Sequence, residues 1–322
     1  MAFSERLQRI LIARDELAQD FFGGWTPTDL ALFEKYHFPL AAEPGYITDY
    51  FGLKTETGFV PWAARLDGTT SAEPPIPDDG VRAEAIEYFA LLDALDQSIG
   101  NAFTIVELGA SYAPWASIAG VLAKRVGKSF IARTVEASSF FCGMIPRMFA
   151  ANGLANQTGD PKVEMMVIYG AVGVRVGSIF FPRVRSAWEN GGRMVESAPD
   201  VDYVGRSVEH EEVPVKTLRE IFDGLTVIDF MHCDIQGSEH EVLVHGAPEI
   251  TRKVRRMFVG THSRKIEGDL IECYHKHGWS LRRERPVTFE HVTGGSSVVG
   301  MTTKDGGQYW VNNLTEGTKV AP

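Results

Sequence analysis

Three cysteines, Cys142, Cys233 and Cys273, are scattered through 322 residues without a C-x-x-C pair. That excludes a disulfide framework and a paired-thiol zinc site, and fits reduced core thiols in a cytosolic protein. Basic charge is in short supply: 32 Lys and Arg against 42 Asp and Glu leave a net charge of −10. The chain therefore lacks the general positive footprint of a nucleic-acid binder. No apolar run approaches the roughly 20 residues of a membrane-spanning helix. Between Met1 and Phe22, Glu5, Arg6, Arg9, Arg14, Asp15 and Glu16 interrupt the apolar residues, so no secretory leader is expected and the expected location is the cytoplasm. There is no G-x-S-x-G elbow for a hydrolase serine. The stretch from His240 to His245 imitates H-E-x-x-H with one residue too many. Its two imidazoles sit about 140° apart around a helix and cannot share a zinc ion.

What remains is ordinary globular material, 44% hydrophobic and 23% charged, long enough to bury a large core. Residues 3–21 carry apolar side chains at helical spacing and stop at Gly23-Gly24. From 25 to 80 the pattern is irregular, broken by prolines and dense in aromatic residues such as Trp25, Tyr50, Phe59 and Trp62. A solvated linker would not hold so many rings. This region either caps a crevice or buries a flank of the sheet. The run Ala72–Asp79 marks a boundary, so residues 1–80 read as an accessory region and 81–322 as the main domain. Asp78 or Asp79 can cap a helix whose apolar face runs from Val81 to Leu95.

Strands and helices then alternate. Strands are expected near 103–108, 129–135, 162–169, 226–233 and 255–260, with helices near 114–125, 138–151, 238–245, 247–252 and 265–277. The turn Gly170–Gly173 follows the third strand, 175–213 is irregular, and Leu218–Phe222 forms a short helix. Extended segments at 279–284 and 297–303, the turn Asp305-Gly306-Gly307 and a strand at 309–312 add an antiparallel edge. The fold class expected is α/β: a mostly parallel sheet, antiparallel at its C-terminal end, with an N-terminal helical and irregular extension.

In such a sheet, ligands sit beyond the carboxyl ends of the strands. FTIVELGAS, Phe103–Ser111, places Glu107, Gly109 and Ser111 at one such end. It lacks the G-x-G-x-x-G glycines that let backbone approach a pyrophosphate, and it carries a carboxylate. That chemistry suits a cofactor whose charged part is an amino acid with an ammonium group beside a sulfonium. Glu136 ends the second strand, where a carboxylate accepts hydrogen bonds from a ribose diol. VIDFMHCDIQGSEHEVL, Val227–Leu243, brings Asp234 to a third strand end, with Glu239 in the following helix. Asp234 reads as the group nearest the methyl-donor end. His262, after the fifth strand, has the residue type suited to take a proton from a hydroxyl. His232, inside strand four, reads as a core residue.

At these residues the chain resembles the FkbM family of S-adenosylmethionine-dependent methyltransferases. The carriers are VELGAS at 106–111, VEAS at 135–138, VKTLREIF at 215–222, DFMHCDIQGSEHEVLVHGA at 229–247 and VGTHSRKIEGDL at 259–270. The resemblance spans roughly residues 100–285. It implies a class I (Rossmann-like) methyltransferase fold with a seven-stranded sheet. It also implies O-methylation of a hydroxyl on a sugar, polysaccharide or other secondary metabolite. S-adenosylmethionine would be held by Glu107, Gly109, Ser111, Glu136, Ala137, Ala171 and Asp234, and His262 with Asp234 would act in catalysis. Asp234, Glu239 and His262 are the candidates for a divalent metal such as magnesium, though no spacing demands one. The region 175–213, with Phe181, Arg183, Arg185 and Trp188, is the expected acceptor loop for a sugar or an anionic polyol. A small-molecule or carbohydrate acceptor is the expected partner, with neither nucleic acid nor membrane, and a homo-oligomer is compatible. The rivals are a nicotinamide oxidoreductase on a related fold and a catalytically silent binding or scaffold protein.

Overall fold

Central strands of a parallel sheet are covered on both faces, so their sequences run apolar without alternation. Ala102–Leu108 (β1) and Ile228–Cys233 (β4) are of this kind: from Phe103 to Leu108 and from Ile228 to Cys233 every residue is buried. The computed structural model, which describes residues 24–154, 163–197, 208–291 and 301–316, builds one sheet around them. Its other strands are Ser129–Glu136 (β2), Val163–Tyr169 (β3), Val254–Thr261 (β5), Trp279–Arg285 (β6) and Gly306–Asn312 (β7). The order is β6-β7-β5-β4-β1-β2-β3, and β7 runs antiparallel to both of its neighbours. This is the class I methyltransferase architecture.

The helices that clothe the sheet include Ala85–Asp96 (α1), Pro114–Arg125 (α2), Glu239–His245 (α3), Ala247–Lys253 (α4) and Arg264–Lys276 (α5). Pro114 occupies the first position of α2, where its missing N–H costs nothing. Ser263 caps α5 by accepting from the Ile266 N–H at 3.2 Å. Ile266, Leu270 and Tyr274 then recur every fourth residue on its buried face.

Some expectations need correction. The first helix begins at Ala85, because Asp79 turns the chain on itself: its Oδ1 accepts from the N–H groups of Val81, Arg82 and Ala83. The expected 138–151 helix is two, Ser139–Cys142 and Ile145–Ala151, with a break at Gly143-Met144 ahead of Pro146. Gly306 and Gly307 are not a turn; they pair with Thr261 and Gly260 inside β7. Ala171–Val172 is a short strand that joins 177–182 and 210–216 in a three-stranded sheet, so 175–213 is not irregular throughout. Residues 198–207, the N-terminal 3–21 helix and most of the 297–303 segment lie outside the described residues.

The aromatic-rich stretch after residue 24 is packed into the molecule. Phe33, Tyr50, Phe51 and Phe59 belong to the same core as Tyr88, Trp115 and Phe130. Meanwhile Trp62 and Arg82 reach the crevice at the strand ends.

Candidate active site

The first turn is built by close approach. Gly109 has φ +76°, and a Cβ there would lie 1.8 Å from the Asp234 carbonyl oxygen. Only glycine fits. The Asp234 N–H donates to the Leu108 carbonyl at 3.0 Å, holding the β1 and β4 loops edge to edge. Ser111 and Ala113 also have positive φ, 48° and 59°. Non-glycine residues adopt this only when their surroundings impose it, commonly at functional sites.

What imposes it here is a pair of buried carboxyls. Glu136 accepts from the Ser111 N–H and the Ser138 N–H, each at 2.7 Å, and so ties the turns after β1 and β2 together. Glu107 accepts from the N–H groups of Trp115 (3.2 Å) and Ala116 (2.8 Å), at the positive end of α2. Burial pushes Glu107 up to about 8 and Glu136 up to about 7, against the pull of these amide donors. Ser111 Oγ is buried with no hydrogen-bond partner.

After β4 the chain turns through Gln236 (φ 53°) and Gly237 (φ 97°). Ser238, at the N-cap of α3, does not close this turn with its side chain. The fully buried Glu239 does, accepting from the Ile235 N–H (3.0 Å) and the Gly237 N–H (3.0 and 3.1 Å). His262 stands behind, with Nδ1 3.0 Å from Glu239 Oε1 and Nε2 3.4 Å from Asp234 Oδ1 and 3.9 Å from Asp305 Oδ2. Burial disfavours its charge, but Glu239, Asp234 and Asp305 together outweigh burial and raise it to about 9. At neutral pH it is an imidazolium.

Asp234, Glu239 and His262 bring ligand-type atoms within 4.8 Å of one another. Their arrangement does not suit chelation. The two imidazole nitrogens face different carboxylates, and a cation can take only one of them. Glu239 is already engaged by backbone amides. The trio is a chain of ion pairs.

One cavity lies over these turns, lined by Glu107, Gly109, Ser111, Glu136, Ala137, Ala171 and Asp234. All seven residues assigned from the sequence to the donor thus meet in one space. His262 and Glu239 are not part of its lining; Asp234 separates them from it.

The sequence reading missed the far wall. Glu87 from α1, His232, Trp115, Tyr112, Arg82 and Trp62 complete the lining. His232 is buried as expected of a core residue, stacked between the rings of Trp115 (5.1 Å) and Phe258 (5.4 Å), yet it reaches the cavity. Its Nε2 lies 3.1 Å from Glu87 Oε2, and its Nδ1 has no partner. Burial holds His232 down at about 4, hence neutral, while burial and the nearby Asp234 raise Glu87. The signal for His232 was its place two residues before Asp234, on the same face of the strand. Glu87 carried none.

The expected acceptor loop supplies Phe181, Val184, Gly191 and Met194 to the cavity. Trp188 is 63% exposed and packs edge-on against Trp62 at 6.2 Å. Arg183 and Arg185 are not part of the cavity lining; Arg183 pairs with Glu209 and Glu211, and Arg185 with Glu209. Arg82 is spent on Asp49 at 2.7 Å. Four carboxyl groups, Glu87, Glu107, Glu136 and Asp234, line the cavity; burial raises Glu87 and Glu107 toward the protonated form, so the preference for cations over anions rests on the Asp234 carboxylate and on Glu136 where it is ionised.

Residues 124–285, half of the chain, match the family model of the methyltransferase FkbM domain. A protein from Jannaschia sp. (strain CCS1), provisionally named a methyltransferase, is 28% identical over 257 residues, covering 79% of this chain and 88% of its own. Among solved structures, precorrin-6y C5,15-methyltransferase from Geobacter metallireducens GS-15 is 9% identical at a TM-score of 0.37, covering 71% of this chain and 87% of that one. A precorrin 8w decarboxylase from Methanobacterium thermoautotrophicum is 11% identical at 0.38, covering 71% and 91%.

Proposed function

Because the chain belongs to the FkbM methyltransferase family, we propose that it methylates a hydroxyl of a neutral sugar, polysaccharide or other secondary metabolite, with S-adenosylmethionine as donor. The observation that carries this reading is the convergence of Gly109, Ser111, Glu136, Ala171 and Asp234 on one acid-lined cavity. The residues fit the donor. A bare glycine and the unpartnered Ser111 Oγ would hold its amino-acid end, with Glu107 fixing the helix start beneath them. Glu136 would accept from the ribose diol, and Ala137 and Ala171 would flank the adenine. The carboxyl groups match the donor's cationic amino acid and sulfonium. Bound there, S-adenosylmethionine supplies an already activated methyl group.

The protein's remaining work is orientation and removal of the acceptor's proton. Asp234 is the candidate proton acceptor, because it lines the cavity and its side chain is 38% exposed. His262 acts through Asp234 as a positioning residue: its charge holds the carboxylate, and Glu239 holds the imidazole. This revises the direct proton transfer to His262 expected from the sequence. No divalent metal is part of the proposal. The same lining disfavours an anionic polyol and leaves a second reading, transfer to an amine, which a carboxylate-lined site with aromatic walls would attract.

Calorimetric titration with S-adenosylhomocysteine, followed by labelled methyl transfer to panels of neutral sugars and of amines, tests the proposal. Binding with label on a sugar oxygen is expected. Label only on nitrogen selects the amine reading. Binding without turnover on either panel favours a silent module, and NADH binding in place of S-adenosylhomocysteine favours an oxidoreductase.

A further inference from the structure

A second cavity of about 350 Å³ lies in the accessory region, behind Arg82. Ligand pockets of small molecules start near this size, about 300 Å³. Its walls come from the chain around 47–51 and 66–75, the Asp79–Arg82 turn and Tyr88. Arg82 lines this cavity and the first one, so a single side chain forms part of the wall of each.

The polar groups of this second lining divide sharply. Asp49 is satisfied, with Oδ1 accepting from the N–H groups of Phe51 (2.9 Å) and Leu53 (2.8 Å) and Oδ2 from Arg82. Asp79 is satisfied by three backbone amides and by the Tyr88 hydroxyl at 2.7 Å. Against these, Thr48 Oγ1, Thr70 Oγ1 and Arg82 Nε are buried with no hydrogen-bond partner. Thr48 has no exposed surface, and the Arg82 side chain is 4% exposed. Buried polar atoms are almost always paired; Arg82 Nε has an ion-pair contact, 3.7 Å from Asp79 Oδ2, so it is above all the two hydroxyls in the walls of one cavity that mark groups awaiting a partner. The hydroxyls donate or accept, and the Arg82 N–H is a donor. Arg82, the one cation of this lining, is paired with Asp49 and Asp79, and Glu73 adds a third carboxyl group, so the cavity offers no free positive group to an anionic ligand. Ile47, Phe51, Leu66 and Val81 supply apolar surface beside the hydroxyls.

We infer that this cavity binds an uncharged, polyhydroxylated ring, the chemistry of a neutral sugar. Such a ring presents C–H faces to the apolar side and hydroxyls to Thr48, Thr70 and Arg82. Two sources share that chemistry: a distal ring of the methyl acceptor reaching past Arg82, or a separate small molecule. The first assignment rests on the function proposed above; the site itself does not.

Saturation-transfer NMR with methyl α-D-glucopyranoside and with maltose tests it on the full chain. Transfer to both probes is expected, with affinity falling about tenfold in the double variant Thr48→Val/Thr70→Val, which removes two hydrogen-bonding hydroxyls and keeps their shape. Leu66→Trp, which fills the cavity, should abolish it. Calorimetry with S-adenosylhomocysteine should be unchanged in the threonine double variant and in Leu66→Trp, showing that they fold. Undiminished binding in the variants, or no transfer to either sugar, overturns the inference. Loss of saturation on one maltose ring in Trp62→Ala marks a molecule spanning both cavities, hence the acceptor; an unchanged map marks a separate ligand. If wild-type protein ignores S-adenosylhomocysteine yet binds the sugars, the donor reading falls and this site stands.

Discussion

Gly109 and the Asp234 carbonyl touch so closely that no side chain fits between them: a Cβ on Gly109 would sit 1.8 Å from that oxygen. Two loops more than a hundred residues apart in sequence thereby become one surface. Gly109→Ala meets both this clash and a φ of +76°. It should cost at least about 3 kcal/mol and remove binding of S-adenosylhomocysteine. Thermal unfolding and calorimetry check it, and an alanine variant with unchanged melting and binding would mean that the loops separate easily.

Protonation of His262 ties stability to pH. Its value in the folded chain is raised to about 9, against roughly 6.5 when unfolded. The folded state therefore holds the proton more tightly. The stabilisation is complete below about 6.5 and is lost as pH rises through 9, an effect of order 3 kcal/mol. Glu107 and Glu136, also raised, lose stability in the same direction but from a lower starting pH. Subtracting the urea-unfolding profile of His262→Gln from that of the wild type isolates the imidazole. Parallel profiles from pH 6.5 to 9 would remove the ion-pair chain as a source of stability.

Glu136, raised by burial to about 7, should make donor binding pH-dependent. A carboxylate that accepts from a ribose diol binds best ionised, so binding expels a proton and affinity climbs with pH. S-adenosylhomocysteine should bind about tenfold more weakly at pH 6 than at pH 8. Calorimetry in buffers of different ionisation enthalpy reads the released proton directly. Glu136→Gln should flatten the slope; a slope that survives in it belongs to another group.

Asp234→Asn keeps size and hydrogen-bonding reach while removing the proposed proton acceptor. Methyl transfer should fall by about a hundredfold or more, with S-adenosylhomocysteine affinity changed by no more than a few-fold. His262→Gln should lower the rate less and shift its pH profile. Equal rates for Asp234→Asn and wild type would direct attention to His232, the other cavity-lining base.

The strand ends were legible because buried parallel strands spell continuous apolar runs, and the breaks at Gly109, Glu136 and Asp234 stand out against them. Boundaries slipped where a side chain overruled local pattern, as Asp79 does before α1 and Glu239 does before α3. His262 shows a different limit. Sequence places it at a functional edge but cannot show that Asp234 stands between it and the cavity. Glu87 was invisible, because nothing in a helical pattern tells a solvated glutamate from one brought over a sheet end by packing. The short strands between 171 and 216 were hidden because their partners lie on both sides of a long connection.

Asp29, near the start of the described chain, is 5% exposed and bonds Arg283 of β6 at 3.0 Å. Glu84 likewise pairs with Arg285 and Lys304. The wall that carries Trp62 and Arg82 is thus pinned by strands synthesised more than two hundred residues later. During translation the Ser111–Glu136 bond can form early, whereas the Gly109 turn waits for Asp234 to emerge. The opposite wall must wait longer still, for the last strands, so a ribosome-bound chain should complete the side of the cavity proposed for the donor before the wall that faces it.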